Sequence, residues 1–157
     1  MATFTKVNNF VADLCNGGNL NLASDSLKLG LTNTLPNAAD TDVNTSVSPD
    51  QIISTSNANE IVAGNGYIEG GTAITITTAS QTGGTYTLAG NQVVFTASGG
   101  AMGTFRYIYM YDNTAGAAGT RPFICWWDYG SALTLNAGES LTIKFNNANP
   151  GTIFTLA

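Results

Sequence analysis

The chain has 157 residues, a formal net charge of −5 and only 10% charged residues, against roughly 25% in ordinary domains. The five basic residues, Lys6, Lys28, Arg106, Arg121 and Lys144, are scattered, which excludes the clustered positive surface that nucleic-acid binding needs. Histidine is absent, so Ser-His-Asp and Cys-His catalysis and the commonest metal ligand are excluded together.

At the N-terminus, Phe4, Val7, Phe10, Val11 and Leu14 form a stripe at helical spacing, ended by Asn16-Gly17-Gly18. The spacing predicts a short amphipathic helix within residues 1–16, the alternative being an arm that orders on a partner. MATFTKVNNFVADL has no basic region leading into a continuous apolar core, so no signal peptide is expected and synthesis is placed in the cytoplasm. No stretch approaches the roughly 20 apolar residues of a membrane span. In a reducing compartment Cys15 and Cys125 are expected to be unpaired thiols, and two isolated cysteines cannot build a zinc site.

Leu27, Leu29 and Leu31 alternate with Lys28 and Gly30, which reads as a first strand. Residues 37–65 form a long polar connection, with a helical turn expected within 48–61. Asp40-Thr41-Asp42 looks like a fragment of a calcium loop, but the glycine and terminal glutamate are missing and a solvated loop is expected. Strands follow at 67–68, 73–77, 85–88 and 92–97, separated by glycine turns.

In residues 105–111, FRYIYMY, every odd position is aromatic, which predicts a strand with one buried aromatic face. Residues 112–119 read as an extended hairpin loop leading to a second run at 120–127. Two further runs, 132–135 and 140–145, flank Asn136-Ala137-Gly138-Glu139, which has the chemistry of a tight hairpin. Residues 146–151 turn into a last strand at 152–156. Neighbouring residues on a strand face opposite sides, so one of Trp126 and Trp127 belongs to the core and the other points outward, towards a subunit or a ligand.

Roughly eight to ten short strands at this spacing predict a single domain over residues 1–157. The fold class is all-β: an antiparallel β-sandwich, jelly-roll-like, with a short N-terminal helix. Asp112 and Asp128 flank the aromatic hairpin and are the best pair of carboxylates for glycoside hydrolysis. Both sit at strand ends, where Asp ordinarily holds turns, so no enzyme, catalytic residue, cofactor or metal is expected. Gly64-Asn65-Gly66 and Gly116-Ala117-Ala118-Gly119 read as turns, since neither joins a strand to a helix.

LKLGLTNT (27–34), VVFTASGG (93–100), FRYIYMYDNT (105–114), ICWWDYGSALTLNAGESLTIKF (124–145) and the terminal IFTLA resemble a family of tailed-bacteriophage virion structural proteins, the head decoration or cement proteins. The resemblance implies a non-enzymatic protein on the capsid surface of the virion, made in the host cytoplasm. It would bind the major capsid protein and stabilise the assembled head; the alternative is a tail-fibre or baseplate accessory module that binds a receptor or glycan. Neither nucleic acid nor a membrane is expected as a partner. The expected interface comprises Phe4, Phe10, Val11, Trp126, Trp127 and Tyr129, covered by shell protein or by sister subunits in a trimer or dimer. On that reading, residues 1–14 anchor the protein and can be removed without unfolding the sandwich.

Overall fold

The computed structural model describes residues 3–16, 20–39, 59–114 and 121–157. Among these, the chain forms β1 (Thr3–Lys6), α1 (Phe10–Cys15), β2 (Leu27–Thr32), β3 (Thr72–Ala73), β4 (Ile76–Thr82) and β5 (Thr85–Gly90). It continues through β6 (Val93–Thr96), β7 (Met102–Asp112), β8 (Phe123–Leu135), β9 (Ser140–Ile143) and β10 (Gly151–Leu156). The expected helical turn within 48–61 and the glycines of 116–119 lie outside the described residues, except for 59–61.

All paired strands run antiparallel. Three sheets result, with orders β1-β8-β7-β2-β3, β10-β5-β4 and β6-β9. Their inner faces share one apolar core, in a sandwich-like arrangement.

β7 is the centre of this core. Tyr107, Tyr109 and Tyr111 are buried as the aromatic alternation demands, and Tyr109 stacks on Tyr111 with ring centroids 5.8 Å apart. The opposite face is buried too: Ile108 and Met110 are as inaccessible as the tyrosines. A strand paired on both sides, with other elements over both faces, shows no polar face in its sequence. On β2, Gly30 lies opposite Tyr109, and a Cβ there would run into the tyrosine ring. The glycine makes room for an aromatic side chain lying flat across its neighbour strand.

Several expectations are corrected. Residues 4–14 are not one helix: Thr3–Lys6 is a strand paired with β8, and only Phe10–Cys15 is helical. The Thr-Phe-Thr run favours a strand, and β8 offers it a free edge of backbone donors and acceptors. Residues 120–127 and 132–135 are not separate runs, because β8 continues for 13 residues from Phe123 to Leu135. Asn136 to Glu139 does form a turn, closed by Glu139 N–H donating to the Asn136 carbonyl at 2.9 Å, but it joins no hairpin. Ala97 exchanges two backbone hydrogen bonds with Gly138 and Glu139, and β9 is thereby delivered to β6 rather than to β8.

The strand expected over 73–77 is likewise divided. Thr72–Ala73 pairs with β2, while Ile76–Thr82 pairs with β5 in another sheet. Residues 67–68 form no strand; Tyr67 makes only an isolated bridge to Gly64.

Candidate functional site

The pairing of β1 with β8 sets Phe4 opposite Trp127, and the pairing of β8 with β7 sets Trp127 opposite Ile108. Residues in register share a face, so these three side chains form one apolar wall. Phe4 meets Trp127 edge-on at 5.7 Å between ring centroids, and Trp127 lies 6.1 Å from the Phe145 ring. The second wall comes from β9 and the turn after it, residues 141–147, and from residues 152–155 of β10. Between them is an open groove of about 720 Å³.

Two features make this groove a candidate docking surface. Its floor and rim keep large apolar groups accessible: Phe4 is 42% exposed and Tyr129 47%. Its far wall is built from strands with one strand partner each among the described residues, β9 on β6 and β10 on β5. Consecutive residues of both strands line the groove, so backbone as well as side chains is presented there.

Of the six expected interface residues, the fold brings Phe4, Trp127 and Tyr129 together on the groove. Phe10 and Trp126 are corrected to core positions. Phe10 is 2% exposed and meets Phe154 edge-on at 5.4 Å; Trp126 stacks on Phe123 at 5.9 Å. With Trp126 pointing inward, Trp127 takes the opposite face, as strand alternation requires. Val11 is exposed on α1 but is not part of the groove wall. The contribution of Leu141, Ile143, Ile153 and Phe154 was missed, because their short alternating runs name no partner sheet.

Asp112 and Asp128 do not make an acid–base pair. Asp128 is in register with Tyr107, five residues along β7 from Asp112, which is roughly 16 Å at the strand rise. Glycoside hydrolysis needs carboxyls no more than about 9.5 Å apart. Asp128 is instead clasped by Arg106 through Nε and Nη2 at 2.8 and 2.9 Å, and it accepts the Gly130 N–H at 2.8 Å. The guanidinium holds its carboxyl below the usual carboxylate range, with the Gly130 N–H acting in the same direction.

A second polar cluster lies in the core. Glu60 is 5% exposed and accepts Tyr67 Oη–H at 2.5 Å, Tyr109 Oη–H at 2.8 Å and Gly70 N–H at 2.9 Å. Burial pushes the Glu60 carboxyl up, against the opposing effect of those three donors. Burial, with the adjacent Glu60 charge, also pushes both tyrosine hydroxyls upward, so they remain donors. This cluster ties the segment before β3 to β7, and none of its residues lines the groove. No three His, Cys, Asp or Glu side chains converge as metal ligands among the described residues. No family model, curated protein or solved structure matches the chain.

Proposed function

We propose that the chain is a structural component of a tailed-phage particle, a decoration protein that docks on the outside of the assembled head through the Phe4–Trp127–Tyr129 groove. The groove is the observation that carries this reading. It is an apolar surface with aromatic anchors and open strand edges, suited to a protein partner. Sequence resemblance supplies the phage context. A protein that binds only the assembled shell stabilises it by mass action, so docking is the whole mechanism and no reacting group is required.

The groove contacts are apolar or hydrogen-bonded, with Lys144 the one charged residue lining the groove among the described residues. Binding to particles should therefore change little with salt. Replacing Trp127 or Tyr129 with alanine should lower affinity for particles by at least 10-fold, as expected for aromatic anchors in a buried contact. Co-sedimentation of the purified chain with undecorated heads, with imaging of the decorated particles, measures this. Full occupancy by the W127A and Y129A variants, or density found only on the tail, would refute the reading.

One observation favours a second reading. Asn146 and Asn147 line the same groove as Trp127 and Tyr129, which is the combination of aromatic face and amide groups that a glycan-binding module uses. Quenching or enhancement of Trp127 fluorescence by host-surface glycans, without binding to heads, would select that alternative.

A further inference from the structure

Away from the groove, the fold brings together two carboxylates that are remote in sequence. Asp112 ends β7, and its register partner is Leu27, the first residue of β2. Asp25 stands two residues before that leucine. The segments are held side by side by Asn113 N–H donating to the Ser26 carbonyl at 2.9 Å and Ser26 N–H donating to Thr114 Oγ1 at 2.7 Å.

Asp112 is 1% exposed. Its Oδ1 accepts the Thr114 N–H at 2.7 Å, while its Oδ2 is buried with no hydrogen-bond partner. The Asp25 carboxyl lies at hydrogen-bonding range of the Asp112 carboxyl, so the two meet across either a shared proton or a cation. Asp25 is otherwise an acceptor, bonded to the Asn21 N–H and to Ser24 Oγ–H at 3.4 Å. Among the described residues no ion pair reaches either carboxylate. Burying a carboxylate oxygen against a second carboxylate is costly unless a proton or a cation lies between them.

We propose that Asp25 and Asp112 form a binding site for one hard divalent cation of the calcium class, with Asp112 Oδ2 as its buried ligand. Both donors are oxygen, with no imidazole or thiolate, which selects against zinc and copper. Calcium takes six to eight oxygens and tolerates irregular geometry, whereas magnesium demands a near-ideal octahedron. With two carboxylates and the other positions left to neutral oxygens and water, the affinity belongs to the weak class, about 0.1–1 mM. Bound there, the ion fastens the start of β2 to the end of β7 and relieves the repulsion between the two carboxylates.

The test is a calcium titration of the full chain, read by thermal unfolding and by calorimetry, with magnesium chloride and sodium chloride as controls. Calcium at 10 mM should raise the Tm by about 3–8 °C, and magnesium at the same ionic strength should raise it by clearly less. D112N should abolish the calcium-dependent shift, and D25N should weaken it at least several-fold; D25N decides the matter if D112N fails to fold. Three outcomes would overturn the site: no calcium-specific shift in the wild type, an equal shift in both variants, or a Tm that ignores calcium but rises as pH falls in the wild type only. The last would mean that the two carboxyls share a proton.

Discussion

At the scale of single residues, Glu60 shows how a charge is kept inside an apolar core. Two tyrosine hydroxyls and the Gly70 N–H satisfy its oxygens, yet burial still raises its carboxyl above 4.5. The folded chain therefore holds that proton more tightly than the unfolded chain does. The stability this contributes is complete below pH 4.5 and is lost as pH rises through the folded-state value. Wild-type stability should thus fall more steeply above pH 4.5 than that of E60Q, measured by urea unfolding over a pH series. Burial also raises Asp112, so the comparison with E60Q is needed to isolate Glu60. Identical slopes in the two proteins would show that Glu60 is not the source.

At the scale of elements, the N-terminal segment changes meaning once it is folded. A removable anchor was expected, but Val7 and Phe10 are core residues, and Val7 N–H donates to the Ile124 carbonyl at 3.1 Å. Deleting residues 1–14 would strip β8 of an edge partner and open the core beneath Phe154. F10A should cost about 3–5 kcal/mol by chemical denaturation, the range for a buried aromatic cut to alanine. The truncation should destabilise more than F10A does. A truncated chain with a wild-type midpoint would restore the anchor reading.

At the scale of the whole molecule, the closed core decides the chemistry of the two thiols. Cys15 is exposed and Cys125 is buried, and they are unpaired. Burial pushes the Cys125 thiol up, which suppresses its thiolate and hence its reactivity. Native protein should react with one equivalent of a thiol reagent and denatured protein with two. The Tm should be unchanged by reducing agent, whereas a bridge would add about 2–4 kcal/mol of stability, lost on reduction. A Tm that falls on reduction would mean that the cysteines pair.

Local pattern determined the all-β class, most strand positions, the aromatic core of β7 and the opposed roles of the two tryptophans, because a period of two assigns faces without reference to a partner. It could not determine which strands meet. The hairpin expected at 136–139 is a crossing between sheets, and the strand expected at 73–77 is shared by two of them, since pairing depends on backbone hydrogen bonds to remote segments. The sites follow the same division. One outward tryptophan was legible but not which, and Phe4 read as part of a helical stripe; the groove that gathers Phe4, Trp127 and Tyr129 exists only once β9 and β10 supply its other wall. The meeting of Asp25 with Asp112, and the donors gathered round Glu60, were illegible because no spacing rule links residues that only a folded sheet makes neighbours.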